Sequence, residues 1–267
     1  PGETQPFTAR LFNSRGQLLR TAEAAFELEG TGAGEITASG VFTAAADAAH
    51  TAAVVKATVD GLQGSARIRV VPPLPWKFDF EDVAIDAASN VGQPPVVWVG
   101  ARYRHAVRQV DGNRVMVKVT TIPKGTRSRC WFGHPELHDY TIQADVRGAI
   151  KDAKMPDIGL IAQGYTLDLQ GAHQKLQIRS WVPQLRMATT IDFPWKPDQW
   201  YTMKFRAANQ DGRAILHGKV WPRGDPEPEA WTIEATDEAP NRSGSPGLFG
   251  NAKDAEIFLD NILVSEN

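Results

Sequence analysis

Residues 200–221 read WYTMKFRAANQDGRAILHGKVW, and this stretch decides the fold. Apolar and polar residues alternate through both halves, and the letters NQDG at 209–212 separate the halves with residues typical of a tight turn. A period of two is typical of a β-strand whose faces differ in polarity. The stretch therefore predicts two antiparallel strands with one apolar face and one polar face, and the polar face would carry Lys204, Arg206, His217, Lys219 and Trp221.

The composition bounds the class of protein. The chain has 267 residues, 42% hydrophobic and 22% charged, which is enough for a good core and for one or two domains. A net charge of −2 and a pI near 6.4 give no basic surface for nucleic acid or an anionic membrane, and the apolar runs are too short to span a bilayer. We therefore expect neither partner.

The single cysteine and the start of the chain add two expectations. Cys130 stands alone, so we expect no internal disulfide and no cysteine-based zinc site. The chain begins Pro1-Gly2-Glu3 without an initiator methionine, so we expect a processed piece of a longer protein.

Residues 1–71 form a first unit of many short β-like runs separated by Gly- and Asn-containing turns, a pattern that favours a small β-sandwich. The unit resembles the bacterial immunoglobulin-like domains of surface proteins. The resemblance is carried by NSRG at 13–16, in the place of that family's D-x-x-G turn, by GEITASGVFTA at 34–44, and by GSARIRV at 64–70. It implies a spacer or an adhesion module.

Prolines at 72, 73 and 75 then interrupt the pattern, because proline removes ladder donors and favours a stiff, extended connector. We place a linker at 72–75 and a second unit at 76–267. About a dozen strand-like runs fill the second unit, and no segment of helical length and period competes with them. Such a density of strands predicts two stacked antiparallel sheets.

The ends of the second unit resemble the first and last strands of concanavalin A-like jelly rolls, the laminin-G, pentraxin and family-16 glucanase type. The matching stretches are WKFDFED at 76–82 and AEIFLDNI at 255–262, with DYTIQADVR at 139–147 and WYTMKF at 200–205 between them. The expected fold is therefore all-β, an N-terminal Ig-like sandwich followed by a C-terminal jelly roll. GKVWPRGD at 218–225 and EPEAW at 227–231 also resemble C-terminal domains of large exported bacterial proteins, which implies an extracellular, cell-surface or periplasmic location.

The resemblance also implies a structural calcium ion. Jelly rolls of this type often bind Ca²⁺ between their first and last strands, and carboxylates are ligands that Ca²⁺ prefers. Glu81 and Asp260 are the matching positions, with Asp79 and Asp82 nearby. No cluster of histidines and cysteines suggests zinc.

A catalytic signature is missing. Family-16 glucanases carry E-x-D-x-x-E on one strand, which places two carboxylates as retaining hydrolysis requires, and the motif is absent here. Asp145 and Asp168 lie on separate predicted strands and cannot be paired from sequence. An enzyme is therefore the less favoured interpretation.

The polar residues beside tryptophans suggest a sugar site. Trp181 shares its strand face with Arg179, and Trp221 shares its face with His217 and Lys219. An indole beside such groups can stack on a sugar ring while they bind its hydroxyls. We expect one concave surface formed by Arg179, Trp181, Lys204, His217, Lys219 and Trp221, with Trp131 as a further aromatic candidate.

These observations favour a carbohydrate-binding or adhesion module that binds a glycan or polysaccharide without cleaving it. A glycoside hydrolase or lyase on the same scaffold is one alternative, and a purely structural or protein-docking module is another. The letters NRS at 241–243 spell a glycosylation sequon, which we interpret as a turn.

Overall fold

The computed structural model describes residues 1–119, 126–180, 185–252 and 256–267. Throughout these residues the regular structure consists of β-strands, which confirms the all-β prediction for them. The chain divides into two compact units, Pro1–Pro73 and Leu74–Asn267. A membrane-spanning helix is absent from the described part of the chain.

The first unit contains eight short strands arranged in three small antiparallel sheets. Their orders are β1-β6-β5, β2-β3 and β4-β7-β8. Its buried core includes Phe42, Ala53 and Val70. The strands are β1 (Thr4–Pro6), β2 (Ala9–Phe12), β3 (Leu18–Ala22), β4 (Ala25–Glu29), β5 (Gly34–Ile36), β6 (Val41–Ala44), β7 (Thr51–Val59) and β8 (Leu62–Val70).

The second unit contains sixteen described strands in two antiparallel sheets. These strands are β9 (Trp76–Phe78), β10 (Ile85–Asp86), β11 (Val91–Gly92), β12 (His105–Val110), β13 (Asn113–Lys118), β14 (Arg127–Trp131), β15 (Tyr140–Gly148), β16 (Asp157–Ala162), β17 (Tyr165–Gln170), β18 (Lys175–Ser180), β19 (Ala188–Asp192), β20 (Tyr201–Gln210), β21 (Arg213–Pro222), β22 (Ile233–Asp237), β23 (Gly247–Asn251) and β24 (Ile257–Glu266). The ten-stranded sheet has the order β10-β11-β12-β13-β24-β15-β20-β21-β22, with β9 paired to β24, and the six-stranded sheet has the order β14-β23-β16-β17-β18-β19.

The hairpin predicted at 200–221 is confirmed. β20 pairs with β21 from Tyr201↔Pro222 to Gln210↔Arg213, and Asp211 and Gly212 turn the chain with φ of 50° and 80°. Positive φ at both turn residues matches the twist of the two strands and is easy for Asp-Gly. The two-residue loop fixes the register, so every residue's face follows from the turn.

The apolar faces of the two sheets pack on each other. Met203 and Phe205 on β20, and Leu160 and Leu167 on the six-stranded sheet, are completely buried. The sheets are in close contact at Gly218, where an added Cβ would lie 2.6 Å from Cδ1 of Leu167. A side chain at 218 would push β21 away from β17, so glycine permits the close contact. The second unit is therefore a β-sandwich whose two outer faces point in opposite directions.

We predict that Leu167→Ala lowers the free energy of unfolding of the second unit by about 2 to 5 kcal/mol, because it leaves a cavity between the sheets. Leu263→Ala is the matched control, since Leu263 is a strand leucine that is 38% exposed. It should cause a clearly smaller loss. Chemical denaturation of both variants checks this, and equal losses would contradict the proposed packing.

Candidate functional site

The structure divides the predicted sugar-binding residues between two surfaces. Lys204, His217, Lys219 and Trp221 lie on the outer face of the ten-stranded sheet, on β20 and β21. Arg179 lies on the outer face of the six-stranded sheet. Alternation assigns a residue to one face of its strand but does not say which sheet the strand joins, so the expectation of one shared surface is corrected.

The remaining two aromatic candidates have different outcomes. Trp131 lies on the same outer face as Arg179, because β14 belongs to the six-stranded sheet. Trp181 lies outside the described residues.

The polar face of the ten-stranded sheet is occupied by the chain itself. Glu227 accepts hydrogen bonds from Nζ of Lys204 and Nζ of Lys219, each at 3.0 Å. The indole of Trp231 stacks on the His217 ring at 5.0 Å, and the Lys219 ammonium lies 4.6 Å from the same indole. The ammonium groups of Lys204 and Lys219 and the ring of His217 are therefore engaged by the segment that joins β21 to β22.

Trp221 offers little surface, because only 7% of it is exposed. Burial of the His217 ring lowers its pKa, although the nearby Glu234 carboxylate opposes the shift. A neutral imidazole stacked on Trp231 is a packing element rather than a free donor. The outer face of the ten-stranded sheet is thus a poor candidate for a ligand site.

The outer face of the six-stranded sheet carries two aligned rows of side chains. Strand register makes the members of each row neighbours across the sheet. The first row is Arg129, Phe249, Gly159, Asp168, Gln177 and Thr190, and the second is Trp131, Gly247, Ile161, Thr166, Arg179 and Ala188.

A cleft opens at the Trp131 end of the second row, and we call it the Trp131 cleft. Its volume is about 490 Å³, and it is lined by Trp131, Ile161, Gly164, Asn241, Arg242, Ser243, Gly244 and Ser245. Gly247 on the neighbouring strand makes room for the indole, since a Cβ there would lie 3.0 Å from Cδ1 of Trp131. The lining therefore combines an indole with a polar loop at 241–245.

Two buried tyrosines hold this loop in place. The Tyr140 hydroxyl donates to the carbonyl oxygen of Gly244 at 2.7 Å and accepts from the Gln163 backbone N–H at 2.8 Å. The Tyr165 hydroxyl accepts from the backbone N–H of Asn241 at 2.8 Å. Burial raises the pKa of both hydroxyls, so they remain neutral and able to donate.

Side-chain amides complete the support. Nε2 of Gln163 donates to the Asn241 carbonyl oxygen at 2.7 Å, and Nδ2 of Asn209 donates to the Arg242 carbonyl oxygen at 2.9 Å. The side chains of Arg242 and Ser243 remain exposed. The loop therefore presents free polar side chains on a backbone that is already ordered.

Arg186 links β22 to the loop through an ion pair with Asp237 and a hydrogen bond to Asn241. Its Nη2 donates to Oδ2 of Asp237 at 2.7 Å and to Oδ1 of Asn241 at 3.1 Å. Burial by itself would raise the pKa of Asp237, but hydrogen bonds from Tyr165 and Arg186 outweigh it, and the pKa is lowered. Asp237 is thus a charged anchor between the tyrosine and the arginine.

Sequence reasoning missed Tyr140, Gln163 and Tyr165. The strand pattern assigns the two tyrosines to the apolar face, where a hydroxyl needs a partner. The need of a buried hydroxyl for a hydrogen-bond partner could have marked both tyrosines as important. The strand pattern does not indicate, however, that residues 241–244 supply partners.

The predicted ligand-binding residue Arg179 forms an ion pair with the buried carboxylate of Asp168. Its Nη2 and Nε donate to Oδ2 of Asp168 at 2.8 and 3.3 Å, and its guanidinium lies 5.1 Å from the centre of the Phe249 ring. Burial raises the pKa of Asp168 to about 6, although the positive charge of Arg179 opposes the shift. A Cβ at Gly159 would lie 3.1 Å from Cδ1 of Phe249, so glycine leaves room for the Phe249 ring.

The two predicted calcium ligands, Glu81 and Asp260, have partners within the chain. β9 does pair with β24, as the prediction required. Oε1 of Glu81, however, accepts the backbone N–H of Arg114, and Oδ2 of Asp260 accepts Nδ2 of Asn113 at 2.6 Å with Arg223 Nη1 at 4.0 Å. Among the residues described, no group of three or more His, Cys, Asp or Glu side chains could hold a metal. Both carboxylates are thus engaged within the chain, and a calcium ion bound by Glu81 and Asp260 stays a prediction.

Asp145 and Asp168 cannot act as a pair. Asp145 lies on the outer face of the ten-stranded sheet, where it binds Thr202, Asn261 and Arg223. Asp168 lies on the outer face of the other sheet. The body of the sandwich separates these two carboxylates.

The fold and the site together define a β-sandwich with an open aromatic and polar cleft on one outer face. No family model and no curated protein matches the chain. A carbohydrate-binding module from Bacillus subtilis is a similar solved structure, with 12% identity, 64% of this chain and 96% of that chain covered, and a TM-score of 0.45.

Two further solved structures are similar at the same level. A glycoside hydrolase family protein from Mycobacterium thermorestibile has 13% identity, 71% and 99% coverage, and a TM-score of 0.45. Lectin II from Ulex europaeus has 8% identity, 72% and 97% coverage, and a TM-score of 0.45. Function therefore has to be argued from the site of this chain.

We predict that Tyr140→Phe destabilises the second unit by about 1 to 3 kcal/mol, because the buried N–H of Gln163 loses its acceptor. Tyr103→Phe is the matched control, since Tyr103 is 66% exposed. Its unfolding free energy should stay within about 0.5 kcal/mol of the parent. Equal effects in denaturant titrations would argue against the role of Tyr140.

We predict a pH-dependent effect of Asp260→Asn. Burial raises the pKa of Asp260 to about 6, above the ordinary value of 3.8, so the folded state prefers the protonated form. The stabilisation from protonation is present below about pH 4 and is lost as the pH rises to about 6. The Tm of the variant, relative to the parent, should therefore rise between pH 4 and pH 7. A constant or falling difference would contradict this.

Proposed function

We propose that this chain is a non-catalytic carbohydrate-binding module whose ligand lies in the Trp131 cleft. The observation that carries the proposal is a partly exposed indole that lines one cleft together with a polar loop, whose backbone is held by Tyr140 and Tyr165. Sugar rings have apolar faces and a rim of hydroxyls, so they need a flat aromatic surface next to hydrogen-bonding groups.

Each part of the cleft has a separate task. The indole of Trp131 and the side chain of Ile161 form its apolar surface, on which a pyranose can stack. Ser243 and Ser245 also line the cleft. The exposed hydroxyl of Ser243 can exchange hydrogen bonds with ring hydroxyls, whereas that of Ser245 donates to the carbonyl oxygen of Gly133 at 3.2 Å and can still accept one. An aromatic wall and a polar wall thereby select for amphipathic rings.

Order in the unbound loop supports the proposal. Immobilising a flexible loop on binding costs free energy, which lowers affinity. Here the carbonyl oxygens of Asn241, Arg242 and Gly244 already accept hydrogen bonds from Gln163, Asn209 and Tyr140. A ligand therefore meets a surface whose backbone is already ordered.

A hydrolase or lyase is less well supported. Asp157 and Asp168 lie on neighbouring strands of the outer face, which is the arrangement that hydrolysis could use. Asp168 is held by Arg179, the oxygens of Asp157 accept hydrogen bonds from Gly171 and Asn251, and neither acid lines the Trp131 cleft. A binding role requires no catalytic carboxylate, so the residues that line the Trp131 cleft are sufficient for it.

The wider identity of the chain is also a proposal. We propose that the first unit is an Ig-like spacer and that the second is a concanavalin A-like jelly roll. Both would belong to a larger exported bacterial protein at the cell surface, outside the cell or in the periplasm. The stretches at 34–44, 76–82 and 255–262 support this assignment.

We predict that Trp131→Ala weakens binding about tenfold or more, since a loss of about 1.4 kcal/mol of stacking and burial corresponds to a factor of ten. A glycan array first selects a bound sugar, and calorimetry then compares the variants. Trp231→Ala, a half-buried indole on the opposite sheet, is the control and should bind like the parent. The reverse outcome would move the site to the other face.

A further inference from the structure

The Trp131 cleft has a positive charge at its rim. Arg242 lines it with an exposed side chain, and no acidic residue is found among the described residues that line it. The other polar side chains of the lining, Asn241, Ser243 and Ser245, are neutral. A ligand in the cleft therefore encounters a cation and no anion on the cleft wall.

More arginines follow along the strand that carries Trp131. Arg129 and Arg127 share the face of the indole, because residues two apart on a strand point the same way at a spacing of about 7 Å. Arg129 is half-buried and lies next to Phe249 in its row, while Arg127 is exposed. Both arginines extend the positive surface along β14 from the cleft.

Three acids on the described part of this outer face are held by other groups. Asp192 accepts Nζ of Lys175 at 2.8 Å, and Asp168 accepts Nη2 of Arg179 at 2.8 Å. The oxygens of Asp157 accept the backbone N–H of Gly171 and Nδ2 of Asn251. Among the described residues, these three acids are therefore not free to neutralise Arg242 at the rim of the cleft.

The ionisation of Arg129 agrees with this geometry. Burial lowers its pKa, and the charges of Arg179 and Arg127 lower it further. Like charges that are close enough to oppose each other's ionisation create a local positive potential. An anion bound nearby would relieve this repulsion.

We propose that the Trp131 cleft prefers acidic sugars, in which a carboxylate or sulfate contacts Arg242 or Arg129 while a ring stacks on Trp131. The inference rests on the proposed carbohydrate-binding function and adds the charge of the ligand. A guanidinium presents a planar fork of donors that matches a carboxylate or sulfate, and such charge-assisted hydrogen bonds are about twice as strong as neutral ones.

The test uses polysaccharides with matched neutral forms. The probes are polygalacturonate, alginate and chondroitin sulfate, together with the carboxyl-reduced form of each and desulfated chondroitin. The full chain should bind at least one acidic probe about tenfold more tightly than its neutral form, and added salt should weaken that binding. Loss on carboxyl reduction identifies a carboxylate, and loss on desulfation identifies a sulfate.

The variants assign the preference to residues. Arg242→Gln and Arg129→Gln should each reduce the ratio of the affinity for the acidic form to the affinity for the neutral form several-fold. Arg213→Gln is the matched control, because Arg213 is an exposed arginine that pairs with Glu238 on the other sheet. It should keep the full preference.

The failures can be told apart. Equal binding of acidic and neutral forms, or a preference that both Gln variants keep, would overturn the acidic-sugar inference and leave carbohydrate binding standing. If neither these probes nor any neutral glycan of the array binds the parent chain, both proposals fail.

Discussion

The hydroxyl groups of Tyr140 and Tyr165 are the constraint on which the candidate site depends. Both tyrosines are completely buried at the ends of sandwich strands, and a buried hydroxyl without a partner costs roughly 1 to 3 kcal/mol. The segment after β22 supplies the partners through Gly244 and Asn241. Satisfying the core therefore orders a surface loop, and this loop forms the polar part of the cleft that Trp131 also lines.

Pairing of polar groups within the chain also explains why the outer face of the ten-stranded sheet offers no free binding groups at Lys204, Lys219 and His217. Lys204 and Lys219 lie directly opposite each other on β20 and β21, and like charges in that position repel. Glu227 lies within 3.0 Å of both ammonium groups and compensates them. Trp231, in the same segment, then covers His217. The hydrogen-bond donors of Lys204 and Lys219, which the sequence predicts on the outer face of the ten-stranded sheet, are therefore bound by other residues of the chain.

The sequence predicted local structure better than it predicted the site. The hairpin at 200–221 could be predicted because alternation and an Asp-Gly turn act over a few residues. Arg179 and His217 were assigned to one surface because both are polar residues on amphipathic strands. Their strands belong to different sheets, and that assignment depends on pairings such as β15 with β24, which join residues more than a hundred positions apart. Trp131 was a candidate by residue type, but its polar partners at 241–245 come from a loop that the sequence indicates only as a turn.

The most direct test of the central claim is an NMR titration that follows the indole N–H signals of the eight tryptophans. Replacing each tryptophan with phenylalanine in turn assigns the signals. A glycan that binds the chain in the array is then added. We expect the Trp131 signal to shift with ligand concentration while the signals of Trp221 and Trp231 stay in place. Shifts of Trp221 or Trp231 with an unchanged Trp131 would contradict it, because the ligand would then lie on the ten-stranded sheet.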